Sequence, residues 1–376
     1  MPAAARDLLC VAVVFGVCFA AGQPCRRLIG HAPQEAHRDR YLDGLRAVAA
    51  LGVLASHFAT NIAGALGYAA TAVFHNLGTF GVQVFFAITG LLFTRKAVAA
   101  RGQLALAPFV AARLRRIVPM YSVAIALSIG IACGVQQGVA TSAGRLLREA
   151  IALYAFGFVL DGAPSIRGLP YVEVIGTIWS LPFEWLFYLF VPVLAVVARS
   201  WRHVAVAASV LALYYGNRMW GGAADVFTPF FLPGVMMGLL PRITLTQPQR
   251  AALSLAAFAL ALCAIVPGNQ NFTPLRLATM TAFFACAVLA APPMLARPGV
   301  AFLGDISYSV YLLHFPALFV TRVVLDSPHV ALFDPIPRAL AFAAVAVLVI
   351  VASTATFRWI EQPFMQRAPV RQPVLA

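Results

Sequence analysis

Long apolar runs alternate along this chain with short connections in which arginine is the commonest charged residue. About 20 helical residues, rising 1.5 Å each, cross the ~30 Å hydrocarbon layer of a bilayer. Runs of about that length lie at roughly 43–63, 78–96, 117–138, 176–198, 203–217, 225–241, 250–267, 276–294, 300–325 and 336–358. The pattern predicts an all-α fold, a polytopic transmembrane helical bundle of about ten core spans. A further apolar piece at 146–160 is short and carries Arg148 and Glu149, so it is expected to be a re-entrant or surface helix. Leu8–Gly22 (LLCVAVVFGVCFAAG) has the apolar core of a signal peptide. Cleavage would leave Arg26, Arg27, Arg38 and Arg40 on the outer side, so a retained extra N-terminal helix is the expectation. The domains then read as 1–38, a hydrophobic helix and basic linker; 39–366, the membrane domain; and 367–376, a cytoplasmic tail.

Composition sharpens the class. With 61% hydrophobic and 11% charged residues in 376 positions, the chain lacks the roughly one quarter of charged residues that covers a soluble domain. The net charge of +14 would suit nucleic acid in a soluble protein. Here the arginines fall mainly between apolar runs, where they set orientation and meet anionic headgroups, so no nucleic-acid partner is expected. Arg95, Lys96, Arg101, Arg113, Arg115 and Arg116 put the second connection inside the cell, and the charge-free 64–77 stretch belongs outside. A multi-pass protein of the cell inner (plasma) membrane results. The six cysteines are scattered without a CxxC pair, so neither a disulfide framework nor a metal site is expected.

Ionisable residues at membrane depth carry the chemistry, because hydrocarbon penalises them unless they have a use. In the first span Asp43, Arg46 and His57 come close to one stripe: the 11 positions from Arg46 to His57 rotate only about 20° past three turns. Arg46 and His57 are nonetheless ~16 Å apart along the axis and cannot touch. Asp43 is placed to cap the helix or to pair with Arg46. His57 lies deep enough to be held neutral, the form a general base needs. Ser180, Glu184 and Tyr188 are four apart and share a face, so Glu184 points into a polar seam. Ser307, Tyr311 and His314 make a second stripe, suited to hydrogen bonding with a polyol. Arg113 and Arg116 present guanidinium forks that match phosphate oxygens. Each group also has a plainer use: Arg46, Arg113 and Arg116 as interfacial anchors, Glu184 as an ion-pair partner, His57 as a histidine bonded to a carbonyl, and the hydroxyl stripe as helix–helix glue.

Six segments in order resemble the acyltransferase 3 family of integral-membrane O-acyltransferases: RYLDGLRAVAALGVLASHF, GVQVFFAITGLLF, ARLRRIVPMY, IWSLPFEWLFYLFVP, LGDISYSVYLLHFPAL and FRWIEQPF. The resemblance covers about 40–365. It implies transfer of an acyl group, usually acetyl, from cytosolic acyl-CoA as co-substrate, with no permanently bound cofactor. The acceptor would be a hydroxyl of an envelope sugar or glycolipid. It also makes His57 the essential histidine, Arg46 its partner in the Arg-x10-His signature, and Arg113 with Arg116 the other characteristic pair. Asp43 and Glu184 would assist catalysis, Arg113 and Arg116 would bind acyl-CoA, and Ser307, Tyr311 and His314 would bind the acceptor. Direct transfer and a relay through an acylated residue both fit. Two departures stand out: Gln83 replaces a common acid, so a charge there is lost, and only Glu184 remains where two adjacent acids are frequent. A polytopic transporter using buried Arg, Glu and His is the alternative; it lacks support from an internal repeat or paired broken helices.

Overall fold

The computed structural model describes residues 3–31, 39–62, 72–138, 141–159, 165–201, 203–204, 208, 227–241, 243–266, 271–325 and 335–366. Helices α2 (Arg40–Ile62) and α3 (Ala72–Ala99) form its centre. In each, 83% of the apolar window is buried, against 11% for Gln247–Ile265, whose apolar side chains therefore face outward. Lipid, not water, is the solvent that accepts such a surface. Among the described residues seven helices are long and apolar enough to cross a membrane, or up to eight if a bent pair counts as one. The chain is an all-α, multi-pass helical bundle.

The elements differ from simple spans in instructive ways. Helix α4 (Leu106–Val135) starts well before the expected 117, so Arg113, Arg115 and Arg116 sit on helical turns and not in a connection. Helix α5 (Ala143–Tyr154) has 12 residues, about 18 Å, and is too short to span. The Ser142 hydroxyl caps it, accepting from the Arg145 N–H, and Arg145 pairs with Glu149 at 3.0 Å on an exposed face. Strands β1 (Ser165–Ile166) and β2 (Leu169–Pro170) form a hairpin leading into α6 (Tyr171–Ile175), a 3-10 turn (Gly176–Ser180) and α7 (Leu181–Val197). The expected 225–241 span is a 3-10 turn (Thr228–Phe231) joined to α8 (Leu232–Leu239). Nearly all of the expected 203–217 span, the 367–376 tail and most of the 64–77 connection lie outside the described residues. Helices α9 (Gln247–Ile265) and α10 (Pro274–Ala290) follow.

The expected 300–325 span is broken. Helix α11 (Pro298–Asp305) and α12 (Ser307–Leu325) meet at a bend of 65°. Just before the bend the chain lies close on α2: a Cβ at Gly304 would collide with the Asp43 carbonyl, and one at Gly44 with the Leu295 carbonyl. Small residues let two backbones meet this way inside a membrane. Helix α13 (Pro335–Thr356) continues through a π turn (Phe357–Glu361) into α14 (Gln362–Gln366). Helix α1 (Ala3–Leu28) packs on α11 and α13, with Cys18 buried, and His31 Nε2 lies 3.2 Å from Asp305.

Arg276 is fully buried at the start of α10. Its Nε donates to Gln83 Oε1 at 2.8 Å, and its terminal nitrogens donate to the carbonyls of Ala264 and Asn76. The Asn76 amide donates to the Ile265 carbonyl at 3.1 Å, and that of Gln83 to the Asn271 carbonyl at 2.7 Å. The last carbonyls of α9 have no intrahelical donor, and these side chains supply one while tying α3, α9 and α10 together. Gln83 therefore keeps half of what an acid would do: its oxygen accepts from the guanidinium without a charge. Gln83→Leu is expected to destabilise the protein by about 1–3 kcal/mol, the cost of an orphaned buried donor, whereas Gln83→Glu should melt at or above the parent temperature in detergent. Parent-like melting of Gln83→Leu would show that the amide does not hold Arg276.

Candidate active site

A cavity of about 170 Å³ opens among α2, α3, α4, α7 and α12. Arg46 from α2, Arg113 and Arg116 from α4, and Glu184 from α7 line it together. Ser180, Ser307, Tyr308 and Tyr311 supply hydroxyls to the same wall. Arg113 and Arg116, three apart, face inward, while Arg115 is not part of the lining, as 100° per residue dictates. Residues scattered over more than two hundred and sixty positions of sequence, Arg46 to Tyr311, thus meet in one place.

Each guanidinium is held differently. Arg46 pairs with Asp43 at 3.5 Å, one turn earlier on α2. Arg116 forms an ion pair with Glu361 from the π turn and lies over the Tyr308 ring at 5.6 Å. Ser309 also donates to Glu361, and Thr356 donates to Ser309 at 3.0 Å, so both carboxylate oxygens are engaged. Arg113 rests on aromatic faces, 5.0 Å from the Phe93 centroid and 6.0 Å from that of Tyr188. Its Nε has no hydrogen-bond partner among the described residues. Cation–π support leaves the fork of Arg113 able to bind an anion. Glu184 accepts from the Tyr188 hydroxyl one turn later, which fixes its carboxyl against the cavity wall.

The imidazoles stand apart from this lining. His57 Nδ1 lies 2.9 Å from His314 Nε2, and Phe315 packs on both rings, with centroids at 4.6 and 4.9 Å. Tyr311 connects the two regions: it lines the cavity, its ring is 5.9 Å from that of His314, and its hydroxyl is 2.8 Å from Ser180 Oγ. Seven of the nine residues singled out from sequence gather at or beside the cavity: Arg46, its partner Asp43, Arg113, Arg116, Glu184, Ser307 and Tyr311. His57 sits beyond the wall, and His314, grouped by spacing with Ser307 and Tyr311, instead joins His57. Glu361 was not singled out. Its signal was available, an acid directly after a long apolar run in FRWIEQPF.

A family model described as an acyltransferase domain matches residues 39–358. The chain belongs to the acyltransferase 3 family. It is an acyltransferase, which sets the transporter reading aside. It is 29% identical over 309 residues to the exopolysaccharide production protein ExoZ of Rhizobium meliloti (strain 1021), covering 79% of this chain and 92% of that protein. It is also 29% identical over 364 residues to the putative membrane-bound transacylase BcsY of Komagataeibacter xylinus, covering 89% of this chain and 86% of the relative. No solved structure matches it. The acyltransferase model ends three residues before Glu361, yet that side chain completes the Arg116 arm of the cavity.

The Arg116–Glu361 pair makes a prediction about stability. Removing one member of a buried pair strands the other, whereas replacing both with apolar side chains does not. Glu361→Ala is expected to cost about 3 kcal/mol, at the low end for buried pairs because Arg116 is 24% exposed. Arg116→Met combined with Glu361→Leu should recover most of that loss in detergent unfolding. A double variant as unstable as Glu361→Ala would show that the charge pair is not the source.

Proposed function

We propose that this acyltransferase moves an acyl group, acetyl in the simplest case, from acyl-CoA to a hydroxyl of a cell-envelope polysaccharide or glycolipid at the inner membrane. The observation that carries this reading is the cavity in which three guanidinium groups and a set of hydroxyls share one wall, with the imidazole pair next to it. Guanidinium forks match the phosphate oxygens of coenzyme A, and Arg113 has donor capacity to spare. The donor therefore enters from the cytosolic side, its phosphates near Arg113 and Arg116 and its thioester arm reaching inward. The name of one relative, exopolysaccharide production protein, supports a carbohydrate acceptor, and that of the other, putative membrane-bound transacylase, supports acyl transfer.

In this reading His57 is the general base. It takes the proton of the acceptor hydroxyl, the oxygen bonds to the thioester carbonyl carbon, the C–S bond breaks, and the departing thiolate recovers the proton. A positioned base contributes about 10²–10⁴-fold. Arg46, steadied by Asp43, adds to the positive potential that draws the anionic donor into the cavity. Ser307, Tyr311 and Glu184 orient the sugar hydroxyls, and Tyr188 keeps the Glu184 carboxyl in place.

Purified protein given radiolabelled acetyl-CoA and polysaccharide acceptor should release coenzyme A and label the acceptor. His57→Ala is expected to abolish transfer while still accumulating in the membrane, its lost hydrogen bond to His314 costing about 1–3 kcal/mol of stability. Arg113→Ala with Arg116→Ala is expected to raise the KM for acetyl-CoA and to leave that for the acceptor unchanged. Retained transfer by His57→Ala removes the histidine from the chemistry, and an equal rise in both KM values reduces the arginines to membrane anchors.

A further inference from the structure

His57 and His314 share one hydrogen bond, Nδ1 to Nε2 at 2.9 Å, and that bond holds one proton. The ring planes are within 13° of parallel and the centroids are 5.0 Å apart, about as far as an end-to-end bond allows, so the two nitrogens point at each other. The remaining nitrogen of His314, Nδ1, lies 3.1 Å from the Val310 carbonyl oxygen. A carbonyl can only accept, so Nδ1 of His314 carries a proton. His314 is 1% exposed, packs against Phe315 and Tyr311, and makes no ion pair with a carboxylate among the described residues. A buried unpaired charge is costly, so His314 is neutral and has that one N–H. Its Nε2 is then an acceptor, and the shared proton belongs to Nδ1 of His57. The chain of bonds leaves Nε2 of His57 with the free lone pair.

We propose that His314 is the positioning residue of the base, holding His57 as the Nδ1–H tautomer so that Nε2 removes the acceptor's proton. The inference rests on the reading of His57 as general base and adds which nitrogen acts and what selects it. In the step itself the hydroxyl proton passes to Nε2 of His57 and the alkoxide oxygen bonds to the thioester carbon. The C–S bond then breaks, and the thiolate takes the proton back from Nε2. Throughout, Nδ1–H of His57 stays bonded to Nε2 of His314, which stabilises the transient imidazolium and gains no proton of its own. The Val310 carbonyl is the far end of the relay, one turn before His314 on α12.

His314→Leu removes the acceptor at similar volume, and His314→Gln returns an oxygen near the position of Nε2. His314→Leu is expected to lose on the order of a hundredfold in kcat, within the contribution of a general base, with the KM for acetyl-CoA unchanged. His314→Gln should recover at least about tenfold of that loss. Parent-like kcat in His314→Leu, or equal inactivity of the two variants, overturns the proposal. If His57→Ala is inactive while His314→Leu works normally, the base stands and only the positioning role falls; activity in His57→Ala removes the base itself. Should the leucine variant fail to accumulate, nitrogen-15 spectra of the parent protein, assigned with His57→Gln, decide the matter. An unprotonated Nε2 of His57 supports the proposal and an unprotonated Nδ1 overturns it.

Discussion

A charge inside a membrane must find its partner within the protein, and the bundle is organised around meeting that demand. Arg116 finds Glu361 across two helices, Arg46 finds Asp43 one turn away, and Arg276 finds Gln83 and backbone carbonyls at the end of α9. Removing either half of such a contact leaves the other in a medium that cannot hydrate it. The contacts of Arg116 and Arg276 therefore fix which helices are neighbours more strictly than apolar packing can, since lipid competes on equal terms for apolar surface. The cavity follows from this arrangement: it lies where the held guanidinium groups of α2 and α4 converge on the hydroxyl faces of α7 and α12.

Much of this was legible in the order of residues. The apolar runs revealed the class and most of the helices, because the bilayer imposes one length on every crossing. The converging residues were legible too, since a polar side chain on an otherwise apolar helix must point inward, as Arg46, Glu184 and Tyr311 do. What stayed hidden arises between helices. The break at Ile306 falls where Gly304 lies on the Asp43 carbonyl, a contact between segments far apart in sequence. Spacing along α12 put His314 with Ser307 and Tyr311, but a stripe says nothing of what stands opposite, and opposite His314 stands His57. Glu361 escaped for a related reason. The π turn at Phe357–Glu361 adds a residue to the helical turn, so an even 100° step does not predict where its carboxylate points.

The site divides by charge. Its cavity is cationic, with carboxylates behind the arginines as well as Glu184 in the wall, and suits a polyanionic donor. Beyond Tyr311 the imidazole pair is packed against Phe315. The acyl-CoA proposed as donor, with phosphates at one end and a thioester at the other, matches that division along its own length. The hydroxyl pair of Tyr311 and Ser180, 2.8 Å apart, sits where the two regions meet and offers a hydrogen bond to whatever crosses.

On the proposal that His57 is the base and His314 orients it, a neutral histidine in that place has a physical logic of its own. In serine hydrolases the orienting group is a carboxylate, whose charge stabilises the imidazolium that forms. An aspartate at the place of His314 would need its own cation or several donors to stay ionised among Phe315, Tyr311 and the apolar face of α2, and otherwise would sit protonated. A second imidazole accepts the same N–H, fixes the same tautomer and carries no charge at rest. The cost is weaker stabilisation of the imidazolium. Positive potential from Arg46 also opposes that cation, so the arginines and the base are better kept apart, one set in the cavity and the other behind Tyr311. The ~16 Å between Arg46 and His57 along α2 does that while leaving both within reach of a donor long enough to extend from one to the other.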